Sequence, residues 1–142
     1  MRAEATRDLE ASRTDVWGFV SEPYHLPDWW PGITSVHPDR RGFAAGARWE
    51  VVGPNTPTLF RKAYDKGLLL IRDVRPYERA SWYLTQEKLT VEIVLEAIDE
   101  RRTRARVTVE GPWRPEAFGR PRSLPRSALA RLHALCQTAA GL

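Results

Sequence analysis

The chain has 142 residues, 42% of them hydrophobic, which suits one domain with its own apolar core, expected over residues 1–142. A single cysteine, Cys136, excludes an internal disulfide. A charged N-terminus and the absence of long apolar runs lead us to expect a cytoplasmic protein without signal peptide or membrane span. The formal net charge of +4 does not by itself indicate a nucleic-acid partner, and we expect none.

The first 32 residues predict a strand followed by two short helices. Residues 3–11 alternate between two faces, which is typical of a half-buried strand. Ser12, with Asp15 three residues later, fits a helix capping box and predicts a helix that ends before Pro23. A second short helix is expected over residues 23–29, and it ends at the corner Trp30-Pro31-Gly32.

The middle of the chain predicts antiparallel strands, and its end predicts one long helix. Alternating apolar and polar residues indicate strands with one buried and one wet face. The predicted strands are Ile33–His37, Ala47–Val52, Thr58–Tyr64, Leu68–Arg75, Ala80–Gln86, Leu89–Ile98 and Arg104–Glu110. After a segment rich in proline and glycine, an apolar stripe spaced by three or four residues predicts a helix over Leu124–Ala140.

This order of elements resembles the helix-grip fold of the START/Bet v 1-like (SRPBCC) superfamily, which includes polyketide cyclase/dehydrase-like proteins. The resemblance rests on the segment Leu9–Trp17, the Trp30-Pro31-Gly32 corner, Gly46, Thr103 and the amphipathic C-terminal helix. It implies an α+β fold in which a curved antiparallel sheet wraps around a long C-terminal helix, with two short helices after the first strand. One departure is that Pro121 and Pro125 crowd the start of the last helix, which predicts a shorter helix than in the superfamily.

The resemblance also implies a pocket between the sheet and the C-terminal helix that binds lipids, polyketides or other apolar molecules. The inward-facing residues expected to line it are Trp49, Phe60, Tyr64, Trp82, Ile93, Val107, Trp113, Leu132 and Cys136. Large aromatic side chains at Trp49 and Trp82 either line such a pocket or fill it, and the alternation pattern does not decide between the two.

Three residues are candidates for catalysis, each with a plainer alternative. Arg7 lies on the apolar face of the first strand, where it either anchors an anion or carbonyl in the pocket or reaches water. Tyr64 is either a hydrogen-bond donor to a substrate or a packing residue, and His133 is either a general base or a partly exposed helix residue. Cys136 lies one helical turn after His133, but an apolar buried thiol is favoured over a nucleophile.

Metal and cofactor sites are not expected, because the three histidines do not have metal-ligand spacing.

Three functions remain open. The favoured one is binding of a hydrophobic small molecule in the pocket. The second is a polyketide cyclase/dehydratase-type enzyme that uses polar pocket residues. The third is a macromolecular adaptor that acts through the arginine-rich segment 114–131, although a solvated face is the favoured interpretation of that segment. A homodimer is also left open.

Overall fold

The structure is a computed structural model, and it describes residues 1–53, 66–112 and 120–140. Seven strands form one antiparallel sheet in the order β1-β7-β6-β5-β4-β3-β2. The strands are β1 Arg2–Leu9, β2 Ser35–His37, β3 Arg48–Val52, β4 Lys66–Arg75, β5 Arg79–Leu84, β6 Leu89–Asp99 and β7 Arg102–Glu110. The helices are α1 Arg13–Ser21, a 3-10 turn Pro23–His25, α2 Leu26–Trp29 and α3 Arg120–Ala140. This arrangement is the predicted α+β helix-grip fold.

The first turn of α1 is fixed by the predicted cap. The Ser12 hydroxyl accepts a hydrogen bond from the backbone N–H of Asp15 at 3.1 Å, which satisfies one of the free donors at the helix start. Glu22 then leaves the helical conformation immediately before Pro23, as the restriction on residues preceding proline requires. As a result, α1 and α2 carry the chain from one edge strand of the sheet, β1, to the other, β2.

The predicted strands are confirmed to within two residues at each end wherever the structure describes them. Thr58–Tyr64 lies outside the described residues. The predicted start of the last helix is wrong, because α3 begins at Arg120 rather than at Leu124. Proline is tolerated in a first helical turn, where the missing N–H would have no partner within the helix, so Pro121 does not prevent the earlier start. Pro125 lies inside α3 and is buried.

The core lies between the inner face of the sheet and α3, which packs against β1 and β7. Alternation along each strand places one set of residues on this inner face, as in β5, where Ala80, Trp82 and Leu84 are buried. The helix α3 contributes Ala128, Leu129, Leu132 and Cys136 to the same apolar cluster. The predicted apolar stripe of α3 is therefore confirmed at Ala128 and Leu132, whereas its last predicted member, Ala139, is exposed.

Candidate functional site

A cluster of aromatic rings dominates the inner face of the sheet. It comprises Trp17 of α1, Trp29 of α2, Trp30, Phe43, Trp49 of β3 and Trp82 of β5, with neighbouring ring centroids 5.6 to 6.4 Å apart. These separations are those of direct edge-to-face and tilted ring contacts. We refer to these six residues as the aromatic cluster.

Trp82 is at the centre of the aromatic cluster. Its ring lies edge to face with Trp29 at 6.0 Å and with Trp30 at 6.2 Å, and these two rings contact each other at 5.8 Å. The helix α2 ends at Trp29, and Gly32 has φ +86°, a conformation that glycine adopts without strain. The turn at Pro31-Gly32 thus lets two consecutive tryptophans face the sheet before the chain enters β2.

Three indole N–H groups of the cluster differ in whether they have a hydrogen-bond partner. Trp49 Nε1 donates to the carbonyl oxygen of Gly42 at 2.9 Å. Trp29 Nε1 and Trp82 Nε1 are buried, and neither has a hydrogen-bond partner within the described part of the chain. A buried donor without an acceptor costs roughly 1–3 kcal/mol, so each of these two indoles places a polar group at a cost inside an apolar core.

Aliphatic residues and the thiol of Cys136 lie in the same apolar core as these rings. The predicted pocket residues Ile93, Val107, Leu132 and Cys136 are all buried and belong to the same apolar cluster as Trp49 and Trp82. Burial and the Asp15 carboxylate raise the pKa of the Cys136 thiol to about 11. Cys136 is therefore a neutral, apolar thiol at neutral pH, and its environment does not activate it as a nucleophile.

The structure describes two of the three catalytic candidates. Arg7 is exposed, although its neighbours Ala5 and Leu9 on the same face of β1 are partly or fully buried. His133 is half-buried on α3. Tyr64, together with the predicted pocket residues Phe60 and Trp113, lies outside the described residues.

Four members of the aromatic cluster, Trp17, Trp29, Trp30 and Phe43, are not among the predicted pocket residues. Trp29 is adjacent to Trp30 and lies in a predicted short helix, so a spacing argument could have placed it on the inner face. Phe43 lies between β2 and β3, where no periodicity indicates which residues are buried. The contacts of its ring with Trp17 and Trp49 depend on the tertiary structure.

The arginine-rich segment 114–131 is only partly described. Arg122, Arg126 and Arg131 of α3 are exposed, whereas residues 114–119 and the side chain of Arg120 lie outside the described residues. Within residues 1–53, 66–112 and 120–140, no group of histidine, cysteine, aspartate and glutamate side chains could hold a metal ion. In the same residues, no helix combines the length and apolar character needed to cross a membrane.

No protein-family model matches this sequence, and neither does any curated protein. Solved structures do match. The chain is similar to the protein XoxI from Bacillus cereus, with a TM-score of 0.75, 12% identity and coverage of 98% of this chain and 97% of that one. It is also similar to the Aha1 dimer from Colwellia psychrerythraea, with a TM-score of 0.69, 12% identity and coverage of 96% of each chain.

A third similar structure is the di-domain ARO/CYC BexL from the BE-7585A biosynthetic pathway. Here the TM-score is 0.69 and the identity 15%, and the match covers 99% of this chain but 46% of BexL, which is one of its two domains in length. These similarities span nearly the whole of this chain and establish its fold. The resemblance to polyketide cyclase-like proteins is thereby confirmed at the level of the fold.

Proposed function

We propose that this protein binds an apolar, ring-containing small molecule that carries a hydrogen-bond acceptor, in the space between the sheet and α3. The observation that supports this most directly is the pair of buried, unpartnered indole N–H groups at Trp29 and Trp82. The aromatic cluster would hold the rings of the ligand, and one or both indoles would donate to its acceptor.

The free energies favour an occupant with an acceptor over a plain hydrocarbon. A hydrogen bond to an uncharged acceptor contributes about 0.5–1.5 kcal/mol net, and it also removes the penalty of an unsatisfied buried donor. Each aromatic contact adds roughly 0.5–1.5 kcal/mol beyond the area that it buries. A ring system with one carbonyl or ether oxygen uses both contributions, as does a phenol.

The walls proposed for this site come from both sides of the core. Ile93 and Val107 of the sheet belong to the same apolar cluster as Leu132 and Cys136 of α3, and all four are buried. Phe60, Tyr64 and Trp113 remain predicted members of the pocket. An apolar wall with a few placed donors is typical of small-molecule sites.

Binding is favoured over catalysis because neither the thiol of Cys136 nor the guanidinium of Arg7 is placed and activated for chemistry in the pocket. The thiol of Cys136 is protonated at neutral pH, and the guanidinium of Arg7 is exposed. The cyclase/dehydratase hypothesis therefore depends on Tyr64 and His133 and stays a prediction. The adaptor hypothesis stays a prediction too.

A pair of matched probes tests the proposal. 1-Tetralone and tetralin have the same two-ring skeleton and differ at one ring position, a carbonyl group in place of a CH₂. Equilibrium dialysis gives the dissociation constant of each for the wild-type chain and for the variants Trp29→Phe and Trp82→Phe. The preference for the ketone is the ratio of the two dissociation constants. We expect this ratio to fall about fivefold in at least one variant, because one hydrogen bond contributes about 1 kcal/mol.

Trp49→Phe is the control variant, because it removes a tryptophan from the same cluster whose N–H already has a partner in Gly42. It should leave the ratio of the two dissociation constants unchanged, whatever it does to stability. If neither probe binds the wild-type chain, and mass spectrometry of an organic extract finds no apolar molecule, the binding proposal fails. If both probes bind and all three variants keep the same ratio, the role of the indole donors is wrong.

A further inference from the structure

The strand β1 forms one edge of the seven-stranded sheet, and no other described strand pairs with its outer side. In the sheet its only neighbour among the described strands is β7. Met1 and Gly111 face each other across this pair and exchange both hydrogen bonds, at 2.7 and 3.0 Å. Because hydrogen-bonded pairs alternate along an antiparallel ladder, the odd-numbered residues of β1 bond to β7. The N–H and C=O groups of Arg2, Glu4, Thr6 and Asp8 therefore point away from the sheet, toward the free edge.

The side chains of these same four residues are exposed on the outer face of the sheet. Asp8 pairs with Arg104 of β7 at 3.0 Å, and Glu96 of β6 also raises the pKa of the Arg104 guanidinium after the larger effect of Asp8. In register, Asp8, Arg104 and Glu96 form a row of alternating charges across three strands. The row ends at the free edge with the negative charge of Asp8.

A second row of charged residues ends with a positive charge at the free edge. Arg2 lies opposite Glu110 of β7 and approaches its carboxylate to 3.9 Å, and Arg2 is the residue of this row at the free edge. One end of the β1 edge thus presents a positive charge and the other a negative charge. An antiparallel copy of the same strand presents them in the reverse order, so β1 is complementary in charge to itself.

We propose that two copies of this chain form a dimer by antiparallel pairing of β1 with β1, with the two-fold axis at Ala5. In this register Arg2 lies opposite Asp8 of the partner subunit, and Glu4 lies opposite Thr6 of the partner subunit. All four residues are ones whose backbone groups point outward, so the pairing completes their hydrogen bonds. Each row of alternating charges then continues from one sheet into the other.

Neighbouring registers are disfavoured by like charges. A shift that places the axis at Glu4 brings the two Glu4 carboxylates together, and a shift that places it at Thr6 brings Glu4 against Asp8 of the partner subunit. With the axis at Ala5, the inner face brings two small residues together at the axis and places Arg7 opposite Ala3 of the partner subunit. The exposed Arg7 therefore meets no like charge there.

The first test compares Thr6→Pro with Thr6→Ala by sedimentation velocity over a concentration series. Proline at position 6 removes only an N–H that points to the free edge, a position where strands accept proline. We expect the wild-type and Thr6→Ala chains to dimerise and Thr6→Pro to stay monomeric, with circular dichroism showing that both variants fold. A wild-type chain that is monomeric throughout, or a Thr6→Pro chain that dimerises as the wild type does, overturns the proposal.

The second test uses two chains with complementary charges. Arg2→Asp alone places acidic residues opposite Asp8 in its own homodimer, and Asp8→Arg alone places basic residues opposite Arg2. Each should weaken self-association by about tenfold or more. Mixing the two variants restores opposite charges at both ends, so a heterodimer should form, detected by native mass spectrometry. Because each chain carries the same internal changes alone and in the mixture, failure of the mixture to associate overturns the proposed register.

Discussion

The hydroxyl of Thr103 donates a hydrogen bond of 2.8 Å to the carbonyl oxygen of Ala11, across 92 positions of sequence. Thr103 is fully buried and lies near the start of β7, opposite Leu9 at the end of β1. Ala11 directly precedes Ser12, the cap of α1. This bond therefore fixes the place where the chain leaves the sheet and enters the helices that carry the aromatic cluster.

We expect Thr103→Val to destabilise the protein by about 1–3 kcal/mol, because valine keeps the shape of threonine and leaves the Ala11 carbonyl without its donor. Urea unfolding followed by circular dichroism measures the loss. Thr108→Val is the matched control, since the Thr108 hydroxyl makes only a long contact of 3.4 Å with Glu4. Equal losses in the two variants would show that the bond to Ala11 has no special value.

Two tryptophans of the aromatic cluster should respond differently to replacement by phenylalanine. Trp49→Phe removes the donor that satisfies Gly42, so it should cost about 1–3 kcal/mol in addition to lost packing. Trp82→Phe removes a donor that has no partner among the described residues. The loss of packing is therefore partly offset, because the variant no longer buries an unsatisfied N–H group. Thermal unfolding of both variants checks the order, and a larger loss for Trp82→Phe than for Trp49→Phe would contradict it.

The turn between β4 and β5 holds a residue in a strained conformation. Tyr77 has φ +68°, in the left-handed region that disfavours bulky side chains, and its ring lies 6.1 Å from that of Trp17. We expect Tyr77→Gly to be more stable than Tyr77→Ala by about 1 kcal/mol, because both lose the ring and only glycine relieves the backbone. Chemical denaturation of the two variants measures this difference, which should vanish or reverse if the backbone is unstrained.

The thiol of Cys136 should be unreactive in the folded protein. Its pKa is raised from 9.0 to about 11, first by burial, so the folded state disfavours the thiolate. A disulfide reagent at about pH 8 should modify Cys136 only after unfolding in urea. Rapid stoichiometric labelling of the folded chain would contradict the burial and would revive the thiol as a nucleophile.

The raised pKa of Cys136 makes the stability of the protein depend on pH above 9.0. A thiol whose pKa is raised on folding adds stability that is fully present below 9.0 and is lost as the pH rises toward 11. The free energy of unfolding of the wild-type chain should therefore fall more steeply over this range than that of Cys136→Ala. Parallel slopes for the two chains would show that Cys136 does not titrate there.

Local patterns were sufficient to place the described strands and helices, and the order of these elements carried the resemblance to the helix-grip fold. The alternation in β5, β6 and β7, the Ser12 cap and the apolar stripe of α3 are each read from residues a few positions apart, and each is present in the structure. The helix α3 begins earlier than predicted because its first turn accommodates proline at position 121, and Pro125 lies inside the helix.

The site depended on relationships that no local pattern contains. Periodicity places Trp82 on the inner face, but it does not reveal that Trp29 and Trp30 meet it at right angles or that Phe43 joins them. It also does not show which indole has a partner, because Trp49 and Gly42 meet only through the path of the intervening chain.

The sequence by itself determined which residues form strands and helices and which faces they bury, because spacing along an element sets the side of each residue. Only the tertiary structure decided that Trp29 and Trp82 each bury an indole N–H without a partner among the described residues, that Arg7 is exposed, and that no described strand pairs with the outer edge of β1. These are properties of elements brought together from distant parts of the chain, and they depend on packing and strand order rather than on local conformation.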